Sequence, residues 1–179
     1  MESKLKIGKI QVYTGDGKGK STAALGLALR AAGRDFKIFI CQFMKGRNTG
    51  EYFAIRKFLS DNIYIHLCGS EKFILDRENP PEEEKHRARE GLEISKQAML
   101  SGKYDIVILD EVNVAIYYNL IDEKEVLEFL KEKPENVELI LTGRKAPSSI
   151  IELADLVTEM REIKHYYKNG LLAREGIEY

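Results

Sequence analysis

The 179-residue chain carries 28 Lys and Arg against 29 Asp and Glu, a formal net charge of −1. A nucleic-acid binder relies on a basic excess to meet phosphates, so this balance argues against a nucleic-acid partner. A hydrophobic share of 44% excludes disordered and fibrous classes, and a charged share of 32% predicts many paired surface charges. The length predicts one domain over residues 1–179, large enough for a proper core.

The start Met1-Glu2-Ser3-Lys4 has no apolar run behind it, and no stretch approaches the ~20 apolar residues that span a bilayer. The chain therefore reads as soluble, cytoplasmic and without a membrane partner. Cys41 and Cys68 lie in separate apolar runs without CxxC spacing and read as reduced core residues. His66, His86 and His165 are scattered and suggest no His/Cys metal site.

Apolar runs alternate with helical patterns in the manner of βαβ units. Ile7 to Thr14 predicts a first strand ending at a glycine cluster, and Lys20 to Ala32 a helix stopped by Gly33. That helix has Ala24, Leu27, Ala28 and Ala31 on one face and Leu25 and Leu29 on another, which predicts that it is well buried. Phe36 to Met44 is a nearly continuous apolar run, as in a parallel strand covered on both faces, and Ile63 to Cys68 is a weaker third strand.

Asn79-Pro80-Pro81-Glu82-Glu83-Glu84 predicts a helix start, with Asn79 as cap and the prolines in the first helical positions, and Leu100 near the end. Its charges read as a solvated face with Glu83 to Arg87 pairing. Tyr104 to Asp110 and Val137 to Leu141 are buried strands, with a helix from Glu123 to Glu132 between them that ends before Pro134. Pro147 to Ala154 predicts a last helix and Asp155 to Met160 a last strand. The sum is an α/β fold of five or six mainly parallel strands with helices on both faces.

The segment Thr14-Gly15-Asp16-Gly17-Lys18-Gly19-Lys20-Ser21-Thr22 joins the first strand to the first helix, the context of a P-loop. Its glycines let backbone N–H groups converge on phosphate oxygens, and the helix presents its N-terminal donors. Lys20 would place a point charge on the phosphates and Ser21 would offer its hydroxyl to magnesium. Gly15 and Gly19 enclose three residues where the usual pattern has four, so the loop is tighter than the usual one. Asp110 and Glu111 end an apolar strand at the edge where open α/β sheets bind ligands. They could hold magnesium directly or through water, or Glu111 could orient a water for hydrolysis.

These segments resemble the P-loop-type corrinoid adenosyltransferases. The resemblance covers nearly the whole chain and rests on TGDGKGKST (14–22), QFMKG (42–46), VILDEVN (107–113), LTGRKAP (141–147) and the stretch from Glu152 to Tyr179, with its KHYYKNG and GIEY segments. It implies a RecA-like P-loop sheet and an unusual use of ATP. The Co(I) of a reduced corrinoid attacks the 5′ carbon of the ribose and expels triphosphate, which binds in the reverse sense to ordinary P-loop enzymes and gives the short loop a reason.

The resemblance assigns the triphosphate charge to the amides of Gly15 to Thr22, to Lys18 and Lys20, and to magnesium on Ser21 and Glu111, with Asp110 beside it; manganese could serve instead. Arg30 matches a family arginine associated with ATP. A family Phe-x-Trp pair under the corrin is absent after Gly69, which leaves Phe73 either as a shifted corrinoid contact or as core packing. A flavoprotein reductant and a homodimer are the further partners implied. Lys45, Glu51, Asn113, Tyr117 and Arg144 lie where a ligand could be met, and His165 with Tyr166 and Tyr167 could belong to a closing C-terminal segment. An ordinary ATPase or small-molecule kinase, and a nucleotide-binding module without turnover, are the alternative readings.

Overall fold

Alternation of side chains along each apolar run divides the core between two faces of one sheet. In the computed structural model, which describes residues 4–46, 48–70 and 76–179, the strands are β1 (Ile10–Thr14), β2 (Ile38–Phe43), β3 (Ile63–Cys68), β4 (Ile106–Asp110), β5 (Glu138–Thr142) and β6 (Leu156–Glu159). They form one parallel sheet in the order β3-β2-β4-β5-β1-β6. Both edge strands and the predicted mainly parallel α/β architecture are present, the fold expected of a P-loop protein.

Ile38, Ile40, Ile106, Ile108 and Ile140 face α1 (Lys20–Ala32), which packs across β1, β5, β4 and β2. The opposite face presents Phe39, Cys41, Val107, Leu109, Leu139 and Leu141 to four further helices. These are α3 (Glu82–Leu100), α4 (Val112–Tyr117), α5 (Glu123–Lys131) and α6 (Ser148–Leu153). Burying each such side chain contributes ~1.5–3 kcal/mol, which makes the two-sided sheet the main source of stability.

Several expectations need correction. Only the Ala24, Ala28 and Ala32 stripe and Lys20 of α1 are buried, whereas Leu29 is 59% exposed. Alanines bring α1 close to the sheet, and a helix so placed shows its far side to water. The long helix begins at Glu82 with Pro81 in the capping position. Pro81 keeps Pro80 out of helical geometry, so the prolines precede the helix.

Two short helices were not legible in sequence. One is α2 (Gly50–Ala54), which runs on into a π-type turn over Ile55–Leu59 and buries Ile55. The other is α4, whose six residues VNVAIY are too short for a helical period to show and include three β-branched side chains.

Cys41 and Cys68 are free and buried on adjacent strands, with sulfurs 2.9 Å apart. They sit under Gly91 of α3, where a Cβ would lie 2.4 Å from the Cys68 sulfur and 2.8 Å from its Cβ. A glycine in mid-helix costs about 1 kcal/mol, and here it permits the close approach of α3 to β2 and β3. Gly91→Ala should therefore destabilise by about 1–3 kcal/mol despite its better helix propensity. Urea denaturation should also show that Cys68→Ala recovers part of the loss; a Gly91→Ala protein more stable than the parent would contradict this packing.

Candidate active site

The chain runs from β1 to β2 over two intervening strands, so the phosphate-loop strand and the acid-bearing strand β4 are separated by β5. Gln42, Asp110 and Thr142, at the ends of β2, β4 and β5, continue the row of isoleucines that faces α1. Polar side chains at these three ends face the first turn of α1.

Asp110 is the centre of that group and is only 2% exposed. Its carboxylate accepts hydrogen bonds from Thr142 Oγ1 at 2.7 Å, Gln42 Nε2 at 3.0 Å and Lys45 Nζ at 2.8 Å. Burial alone would push this carboxyl up, but the Lys45 charge and hydrogen bonds from Lys45, Ser21 and Thr142 hold it below the usual carboxylate range. Lys45 also reaches Glu51 Oε1 at 3.5 Å, and Gln42 Nε2 donates to the same oxygen at 3.1 Å. The carboxylate is thereby a fixed anchor rather than a free ligand.

Glu111 has the opposite character. It stands at the start of α4 in a left-handed conformation, φ 64°, its N–H held by Thr142 Oγ1 at 2.9 Å. A non-glycine residue in that region stores strain of order 1 kcal/mol, which the Thr142 contact sustains. Among the described residues its carboxylate has no hydrogen-bond partner. Burial first, then the Asp110 charge, raise it above the ordinary glutamate value, against the pull of Lys45, Lys20 and Arg144.

Glu111 opens into a cavity of about 440 Å³ lined by the loop from Gly17 to Thr22 and by Lys45, Glu51 and Arg144. The C-terminal residues Gly176 to Tyr179 and His165 close another side. Lys20 is nearly buried, its ammonium donating to the carbonyls of Gly15 at 2.7 Å and Gly17 at 2.6 Å, and burial lowers its pKa. Lys18 points to the tail instead, reaching Glu178 Oε1 at 2.8 Å. The loop itself leans on the chain beyond β6: Gly17 N donates to Met160 O at 2.7 Å, and a Cβ on Gly17 would lie 2.8 Å from the Arg161 backbone.

A strand, a glycine loop, a buried lysine and a paired acid around one cavity are the parts from which phosphate-binding sites are built. The chain matches the ATP:corrinoid adenosyltransferase family BtuR/CobO/CobP over residues 6–179. It belongs to this family. Relatives called corrinoid adenosyltransferase include one from Sinorhizobium sp, 39% identical over 174 residues, covering 96% of this chain and 80% of the relative. Another, from Escherichia coli K12, is 36% identical over 173 residues, covering 96% and 86%, and one from Salmonella typhimurium is 33% identical with the same coverage. The chain is thus an enzyme that adenosylates corrinoids with ATP as donor. No helix among its described residues is long and apolar enough to cross a membrane.

Of the residues singled out in sequence, Gly17, Lys18, Gly19, Lys20, Ser21, Thr22, Lys45, Glu51, Glu111, Arg144 and His165 meet at the cavity. Asp110 lies directly behind it. Asp16 is turned toward Glu159 and Arg161 on the other side of the loop. Arg30 is not gathered in: it sits exposed in the last turn of α1, about 15 Å along the axis from Lys20. Asn113 is fully buried beside Gly143, and Tyr117 lines a separate cavity beneath Arg77. Phe73 lies outside the described residues.

Thr142, Gln42 and Glu178 were missed by sequence reasoning. Thr142 had a signal, a polar residue closing an apolar strand just as Asp110 does; Glu178 lay within the GIEY segment that carries the resemblance, with nothing local to give it a role.

Two outcomes follow from this geometry. Thr142→Val removes the hydroxyl shared by Asp110 and the Glu111 N–H and should cost about 1–3 kcal/mol in chemical denaturation. Because the folded pKa of Glu111 is raised, the ionised residue costs stability, and that cost disappears as pH falls through the folded value. Glu111→Gln should therefore stabilise the ligand-free protein at neutral pH by about 1 kcal/mol, with the gain shrinking on acidification. A thermal midpoint unchanged or lowered at pH 7 would contradict this account of Glu111.

Proposed function

We propose that the triphosphate of ATP lies on the loop from Gly17 to Thr22, with C5′ of the ribose presented to the Co(I) of a reduced corrinoid. The observation that carries this reading is the convergence of Lys20, Ser21 and Glu111 on one cavity at the head of α1. Attack forms the cobalt–carbon bond with the electron pair of Co(I), and the C5′–O bond breaks with its electrons passing to triphosphate. This chemistry asks for in-line positioning and for stabilisation of growing negative charge, and needs no proton transfer.

The loop amides and the Lys20 ammonium meet that charge, with Lys20 exchanging its present loop carbonyls for phosphate oxygens. The all-oxygen pair of Ser21 and Glu111 suits a hard divalent cation, magnesium or manganese. No group of three or more His, Cys, Asp and Glu suited to a metal occurs among the described residues. Such an ion would therefore complete its shell from phosphates and water, as magnesium commonly does. Its contribution would be to neutralise the leaving triphosphate. Asp110, with its oxygens engaged by Thr142, Gln42 and Lys45, supports Ser21 and the strand end.

Production of Co(I) calls for an electron donor, for which a flavoprotein in the reducing cytoplasm is our reading, and the enzyme is taken to work as a homodimer.

Incubation of ATP and magnesium with a chemically reduced corrinoid should give adenosylcorrinoid and intact triphosphate in equal amounts. ADP and phosphate in their place would support an ATPase or kinase and overturn this reading. Lys20→Ala should reduce turnover at least a hundredfold, and wild-type turnover in that variant would remove the phosphate-loop assignment. Chelation of divalent cations should abolish the reaction, and added magnesium should restore it.

A further inference from the structure

Lys18 belongs to the phosphate loop by sequence, yet its ammonium is engaged by the far end of the chain. It donates to Glu178 Oε1 at 2.8 Å, to the Ile177 carbonyl at 3.1 Å and to the Tyr166 hydroxyl at 3.2 Å. An ammonium has three N–H donors, so these partners use all of them and leave none for a phosphate oxygen.

The tail is arranged to receive it. The Glu178 carboxylate also accepts from the Tyr166 hydroxyl and from the Arg174 guanidinium, and the Arg174 N–H donates to Glu178 Oε2 at 2.7 Å. The Arg174 guanidinium lies 5.0 Å from the centre of the Tyr166 ring. The Glu178 side chain is only 17% exposed although the tail around it is largely open to solvent. Beyond this cluster the chain end reaches α2, where a Cβ on Gly50 would stand 3.8 Å from the Tyr179 carbonyl oxygen. Residues Gly176 to Tyr179 thus bridge the phosphate loop and α2, on either side of the cavity that also holds Lys20, Ser21 and Glu111.

We propose that Lys18 is a positioning residue that docks the segment Gly176–Tyr179 through Glu178 as a wall of the nucleotide cavity, and is not itself a ligand of the triphosphate. This rests on the cavity being the ATP site, as argued above. The two lysines of the loop then have separate tasks: Lys20 faces the phosphates from inside, and Lys18 fastens the outer wall. A wall that contacts bound ATP equally before and during the reaction contributes to affinity and not to the chemical step.

The test uses the full-length enzyme with Lys18→Met, Glu178→Gln, the double variant, and the exchange Lys18→Glu with Glu178→Lys. Each single change should raise KM for ATP about fivefold with the effect on kcat much smaller. The double variant should be no worse than either single, because both remove the same contact. The exchanged pair should recover part of the loss. Without ATP, Lys18→Met should also speed tryptic cleavage after Lys168 and Arg174, although the change is in the loop and not in the tail. The proposal is overturned if Lys18→Met lowers kcat a hundredfold while Glu178→Gln does not, if the single effects add, or if tail cleavage in Lys18→Met matches the wild type. Because cleavage is read without ATP, it tests the docking even if the Lys20→Ala result removes the phosphate-loop assignment.

Discussion

The buried carboxylate of Asp110 is the constraint on which the site depends. An ionised group removed from water costs several kcal/mol unless its oxygens are engaged, and here β2, β5, the loop after β2 and the first turn of α1 all contribute partners. Satisfying that one charge brings together strand ends that are distant in sequence. It also accounts for the position of Lys45, whose ammonium sits between Asp110 and Glu51 at the cavity wall.

Among the described residues, the Glu111 carboxylate lacks the hydrogen bonds that Asp110 has in full. The two adjacent acids share a strand end but differ in environment: one is surrounded by donors, the other is turned by a left-handed backbone into an open cavity. Thr142 serves both, donating to the first and accepting from the backbone of the second. A single hydroxyl on the intervening strand therefore ties the two acids together, adding to the Lys45 charge that keeps Asp110 ionised and holding the backbone turn that aims Glu111.

The short phosphate loop also has a structural counterpart. Its glycines meet the chain that leaves β6, and the same chain returns at Glu178 to take Lys18. The loop is thus supported from the C-terminal part of the molecule as well as from its own helix. The elements from β6 onward contribute little apolar burial; β6 is exposed at all four of its residues. Polar contacts to the loop, rather than a core of their own, give that region its place.

The sequence by itself determined the six strands, the helix after the loop, the P-loop residues and the two acids. All of these depend on neighbours: a period of two, a glycine run before a helix, carboxylates closing an apolar segment. It gave no sign of α4, because six residues rich in β-branched side chains show no helical period and only the turn of the backbone at Glu111 starts the helix. Only the tertiary structure decided that Thr142 and Gln42 join Asp110, that Arg30 stays away from the cavity, and that Lys18 turns to the tail. The physical reason is that these outcomes rest on strand order and register and on a contact spanning 160 residues, which no local pattern encodes.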